Sequence, residues 1–455
     1  MGRRVSGLVA LLTVALVACD DGDGGSTTPM ADMAVEHDRG VARLDAALED
    51  QGAGGDAADL GPEVDGAGGM GGEPDQGVVP PDLCEPAVGY GLKAALAAHV
   101  EGAPRYAPRT VWTGAEWGVL WQAPSEEAGI NEVWFERFDI SAQPIGEPLR
   151  LGVAKLPQAE ITWTGTGYVA VWLSSRTRGG GIDGIKVQRI DTEGAASGGA
   201  VDVPGTFDAA HLDAAWAPRA GGMVVFTRGM AGAAGLFAVP LDELGTPAAP
   251  VKLAETETRG PSVAFGDGSW GVAWLDRASA TPADVMFVVI NDRGQPVSQP
   301  RRQADAGAQG TTQVAYGQGT FGVGWSKADA MGSLAAFVTL YDSAGDILAT
   351  PPIPGARGFG LVTDVAWLDP DSFGVAWQDN SAQEITVGLT LVNTRGQVQN
   401  PVRLPVEGAH AASGMRLAGN VSKAGVWLVD DPTPTPGGGF SAQAHILNGI
   451  MGPCR

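Results

Sequence analysis

The sequence predicts an all-β fold, a ring of seven repeated four-stranded units that follows a long structureless N-terminal segment. Three observations carry this. An aromatic position recurs about every fifty residues, short alternating runs bounded by turn residues fill each interval, and a strand missing at the C-terminus has its counterpart near residue 90.

The recurring position is Trp121, Trp172, Phe226, Trp274, Trp325, Trp377 and Trp427, at intervals of 51, 54, 48, 51, 52 and 50 residues. Four residues earlier stand Trp117, Tyr168, Gly222, Trp270, Phe321, Phe373 and Lys423, aromatic in five of seven. A third column precedes them: Trp112, Trp163, Trp216, Phe265, Tyr316, Trp367 and Leu417.

Each interval divides into four strands. In the first unit, strands are expected at 109–113 and 116–122 around a tight Gly114-Ala115 turn, at 132–140, and at 148–151. A turn beginning at Asp139 closes the third strand, and it recurs at Asp191, Asp242, Asp292, Asp342 and Asn393, each followed by a glycine. Asp and Asn open such turns by hydrogen-bonding backbone ahead of them, and Gly supplies positive φ.

The seventh unit has strands at 414–418, 424–429 and 441–447, a turn over 448–453, and then ends. Residues 88–99 supply the missing strand, because Val88–His99 followed by Val100-Glu101-Gly102-Ala103 reads like the end of unit six.

Four-stranded units at this period resemble the blades of a β-propeller, whose sheets bury both faces against their neighbours. The resemblance runs from about Val88 to the end and is to the general pattern, since Trp-Asp dipeptides, kelch glycine pairs and sialidase-type Asp boxes are missing. The chain is also similar to the repeat-bearing propeller lipoproteins of some predatory and soil bacteria. An open solenoid or two stacked sandwiches is the alternative architecture.

Arg3 and Arg4, the apolar run Leu8–Val17, and Leu16-Val17-Ala18-Cys19 resemble a bacterial lipoprotein signal. The resemblance implies cleavage before Cys19 and lipidation of its sulfur. An ordinary signal peptide with an incidental cysteine is the alternative. Residues 1–18 are then a signal peptide, 19–83 a tether, and 84–455 the propeller. The tether is Gly, Ala, Asp and Glu with almost no aromatic residues, so it cannot offset its ordering entropy. Only Cys84 and Cys454 remain beside Cys19, and an exported chain meets oxidising conditions, so these two are expected to pair. The expected location is the bacterial cell envelope, anchored at the outer membrane. A net charge of −23 argues against a nucleic-acid partner.

Chemistry is harder to find. Ten of thirteen tryptophans fall in two repeat columns, which reads as packing rather than a sugar platform. His99, His211, His410 and His445 fall in four units without ligand spacing, and no nucleophile elbow, phosphate loop or reactive thiol appears. Neither a catalytic set, a metal site nor a cofactor is therefore expected. Acids that could form a glycosidase pair, Glu126, Glu127, Asp183, Asp276, Asp329, Asp379, Glu384, Asp430 and Asp431, sit in or near loops between second and third strands.

The turns between strands one and two and between three and four are short and alike, whereas the other connections vary, and those variable loops share one face. Binding residues concentrate on loops held by a rigid scaffold. The candidate ligand-binding positions are therefore Arg176, Arg178 and Asp183 in unit two, and Asp430 and Asp431 in unit seven. The expected function is non-enzymatic: a monomeric envelope binding or scaffold module that engages a protein or glycan. The alternative is an envelope glycoside hydrolase or lyase with an acid pair near the central channel.

Overall fold

The computed structural model describes residues 89–96, 106–125, 130–139, 143–175, 183–229, 234–276, 283–328, 333–354, 361–368, 371–379, 386–399, 401–405, 412–420, 423–430 and 443–450. All belong to the unit Gln76–Arg455. The expected tether and signal, with Cys19, Cys84 and Cys454, lie outside them.

The fold is a seven-bladed β-propeller. Three sheets have four antiparallel strands, and two have seven because a pair of blades shares one long strand. The innermost strands are Tyr106–Trp112, residues 159–163 of Pro144–Trp163, Ala209–Ala217, Thr258–Gly266, residues 313–317 of Arg301–Gly317, Leu361–Trp367 and Ala412–Asn420. Each packs against the next, and the last packs against the first, which closes the ring. The second strands are Trp117–Pro124, Tyr168–Ser174, Gly221–Arg228, Ser269–Asp276, Thr320–Ala328, Ser372–Asp379 and Lys423–Asp430. Third strands are Asn131–Phe138, Gly184–Ile190, Gly235–Leu241, Ala283–Ile290, Leu334–Asp342, Thr386–Asn393 and Gln443–Ile450. The seventh sheet takes its outer strand, Gly89–Leu96, from the N-terminal side of the chain.

The aromatic columns hold the blades. Trp112–Trp117, Trp163–Tyr168, Phe265–Trp270, Tyr316–Phe321 and Trp367–Phe373 are cross-strand pairs with ring centroids 4.5, 4.8, 4.9, 4.7 and 4.9 Å apart beside the first turn of their blades. The third column breaks in blade 7. Asn420 stands opposite Lys423 there, and Leu417 lies three residues further in, opposite Val426. Trp172, Trp274 and Trp377 are fully buried between sheets, as packing residues should be.

The late turns form as their sequence implies. In blade 3 the Asp242 carboxylate accepts the N–H groups of Leu244 and Thr246 at 2.9 and 2.7 Å, while Gly245 turns the chain at φ +74°. Asp139, Asp191, Asp342 and Asn393 do the same work. In blade 4 the turn opens one residue before the expected Asp292: Asn291 Oδ1 accepts from Arg293 and Gln295.

Two connections expected to be loops are continuous strand. Ala154 pairs with Asn131 of blade 1 and with Ser174 of blade 2, so Pro144–Trp163 passes from one sheet's outer edge to the next sheet's inner edge without a break. Ala308 likewise pairs with Ala283 and Lys327. The turn expected to begin at Asn448 is also strand, because Gly89–Gly91 extends the ladder to Ile450.

Candidate functional site

Strand direction divides the ring into two faces. First and third strands end at the face of the short turns, and second and fourth strands end at the opposite face, where the longer connections gather. Of the residues expected to bind there, Asp183 is exposed at the mouth of its loop, its N–H donating to Ser174 O at 2.9 Å. Asp430 ends the second strand of blade 7, paired with Ala412 and Gln443. Arg176, Arg178 and Asp431 lie outside the described residues.

A built surface exists on this face at blades 2 and 3. The connection from Val201–Asp202 to Ala209–Ala217 is locked by Thr206, whose hydroxyl donates to Val203 O and accepts the Ile185 N–H, both at 2.8 Å. The lock leaves Phe207 standing 65% exposed. The next residue turns inward: the Asp208 side chain is 2% exposed and meets Arg228 Nε at 2.8 Å. Arg228 ends the second strand of blade 3 and lays its guanidinium over Phe237, 4.5 Å from the ring centroid, and 5.8 Å from the rings of Phe226 and Phe207. Lys252 reaches Phe237 from the outer strand at 5.8 Å. An exposed aromatic ring therefore stands beside a cation that itself lies over two stacked aromatic rings. Such a set grips a partner's apolar or planar group at low conformational cost.

The inner strands carry a second polar set. Opposite the fourth residue of each second-strand repeat lie Arg109, Glu160, Asp213, Ser262, Gln313, Asp364 and Leu417, polar in six blades of seven. Arg109 Nε donates to Glu160 Oε1 of the next blade at 2.6 Å. The carboxylates of Asp213 and Asp364 each accept an inner-strand N–H of the following blade, from Val263 and Leu417, at 2.7 Å. These groups join one blade to the next where each sheet would otherwise end in an unpaired edge. In the first six blades they stand three residues before the third aromatic column, so the signal was present in the repeat. A search for one repeated residue type passes over it, because the column mixes Arg, Glu, Asp, Ser and Gln.

Among the acids considered for proton transfer, Asp276 accepts the Thr256 hydroxyl at 2.8 Å, and Asp379 closes the ladder against Thr386. Glu126, Glu127, Asp329 and Glu384 lie outside the described residues. Among the described residues no group of three His, Cys, Asp or Glu side chains is placed to hold a metal ion.

No family model matches the chain, and no curated protein matches it. Among solved structures it is similar to the polysaccharide lyase Uly1, with 9% identity, 76% of this chain and 90% of that chain covered, and a TM-score of 0.48. It is similar also to a neuraminidase-like protein from A/bat/Guatemala, with 9% identity, 78% and 90% coverage and a TM-score of 0.39. A puromycin-hydrolyzing peptidase of Mycobacterium tuberculosis is 14% identical, covering 74% of this chain and 53% of that chain, with a TM-score of 0.44. No site residue is carried over from any of them.

Proposed function

We propose that the chain is a lipid-anchored envelope protein whose propeller binds a protein or glycan partner through the long-loop face, without catalysis. The observation that carries this is Phe207: a large apolar ring, 65% exposed, is held out to water by a tightly hydrogen-bonded connection. Arg228 and Phe237 beneath it supply the rest of an anchor. The acids of the inner ring, by contrast, hold blade to blade. Asp213 and Asp364 each accept a backbone N–H of the next blade with a carboxylate oxygen, which is the work of a joint.

The test compares capture of envelope proteins and polysaccharides by the full chain with capture by two single variants. Phe207→Ser should lose a retained species that Leu244→Ser, an equally exposed change on the opposite face, still retains. Retention unchanged by Phe207→Ser, or shortening of a polysaccharide by the wild-type chain, overturns the proposal.

A further inference from the structure

We infer that the protein holds its long-loop face away from the surface to which its N-terminus is tied; the inference rests on the lipid-anchor reading proposed above. It follows from the direction of one strand. Gly89–Leu96 runs antiparallel to Gln443–Ile450, with Gly89 opposite Ile450 and Leu96 opposite Ala444. Gln443–Ile450 is the third strand of its blade, and third strands end on the short-turn face. Gly89 therefore lies at that face, and the chain N-terminal to it enters the ring there. Leu96 lies at the other face, from which the chain continues into Tyr106. Phe207 and Arg228 are on that second face, a strand's length from the face of the entry point. Strands of seven to nine residues, rising roughly 3.3 Å per residue, set the two faces about 25 Å apart.

A further feature agrees. Of the six large apolar residues exposed among the described residues, Leu244, Val297, Ile347 and Leu348 follow the third strands of blades 3 to 5 on the short-turn side, which would face the anchoring surface. The partner such an arrangement fits is a macromolecule arriving from the side opposite the anchor, not one embedded in the same membrane.

Energy transfer to headgroup-labelled lipids tests this in the full-length, membrane-bound chain, with a fluorescent amino acid placed at Leu244 or at Phe207. Transfer should be stronger from position 244, and the gap should widen as residues 20–75 are progressively deleted. Equal transfer from both positions in the shortest chain, or stronger transfer from 207, overturns the orientation. The same pair of labels in Cys19→Ser separates the two readings. Transfer that persists there overturns the anchor at Cys19, and transfer lost from both positions supports it.

Discussion

The Cβ that Gly118 lacks would fall 2.4 Å from Cε1 of Tyr168, in the neighbouring blade. The relation repeats. At Gly271 the ring in the way is Phe321 at 2.6 Å, and at Gly322 it is Phe373 at 3.0 Å. In these three blades the glycine after the leading aromatic is thus a socket for the next blade's aromatic, whereas Gly374, after Phe373, meets Leu368 and Leu417. In blade 2, where the next blade offers Gly222 in place of an aromatic, Val169 stands at the socket position. Gly118→Ala should cost about 1–3 kcal/mol, the usual penalty for overpacking a dense interior. Gly199→Ala, with nothing within 4 Å of its Cβ, should stay within about 0.5 kcal/mol. Denaturant midpoints of the two variants settle it, and equal stability would mean that the blades slide to make room.

How much of this was legible depends on whether a residue acts within its repeat or between repeats. Trp121, Trp172, Phe226, Trp274, Trp325 and Trp377 were visible because each is buried in the same way in its own blade, and the turn at Asp242 was visible because its hydrogen bonds are local. The inner ring was not recognised. Arg109 meets Glu160, 51 residues away, while Asp213 takes up a backbone N–H, so the chemistry differs from blade to blade although the position does not. Phe207 gave no signal of its own. An exposed and a buried phenylalanine look alike in a sequence, and only the hydrogen bonds of Thr206 and the inward turn of Asp208 separate them.

Stability at the ends of the pH range should report the joint between blades 1 and 2. Burial alone would raise the Glu116 carboxyl, but hydrogen bonds from Arg137 and Tyr168 outweigh it, and the group is held below its ordinary value. Arg137 grips it with two bonds of 2.7 Å and the Tyr168 hydroxyl donates at 2.6 Å. A carboxyl lowered by folding stabilises above its unfolded value, and the contribution is lost as pH falls below about 4.5. Glu116→Gln should therefore melt lower than wild type near neutrality, with the difference closing in acid. Tyr168 has the opposite sign. Burial first, then its bond to Glu116, raises the phenol, so the folded chain keeps a proton the unfolded one gives up, and stability falls as pH rises past about 10. Melting temperatures across both limbs check this, and a pH-independent difference would assign Glu116 a purely steric role.

Arg228 and Phe207 should separate cleanly although their side chains approach each other. Arg228→Ala leaves the Asp208 carboxylate, 2% exposed, without its cation, and losing one partner of such a pair costs on the order of 3 kcal/mol. It also strips the cation from above Phe237. Phe207→Ser removes a ring that is mostly in water and should cost under about 0.5 kcal/mol. Urea unfolding distinguishes them. A large loss from Phe207→Ser would make the ring part of the core and remove the observation on which the binding surface rests.

The last prediction is the bond across the closing strands. Gly89 pairs with Ile450, and the ladder is antiparallel, so the two chains part from their last pair at the same end of the sheet. Along the chain Cys84 lies five residues before Gly89 and Cys454 four residues after Ile450; we propose that the two sulfurs are joined, since thiols of an exported chain oxidise when they meet. The bond would close a loop of about 370 residues, nominally worth about 5–6 kcal/mol through the entropy of the unfolded chain. It would also keep Gly89–Leu96 on the edge of blade 7, where its loss would expose an unpaired strand. Peptide mapping of the exported protein without reductant should recover the two cysteines in one linked species. The double variant Cys84→Ser, Cys454→Ser should melt lower than wild type, and reductant should bring the wild-type protein down to it. Two free thiols in the exported protein would leave the ring closed by the strand pairing alone, and the double variant would then melt with wild type in the presence or absence of reductant.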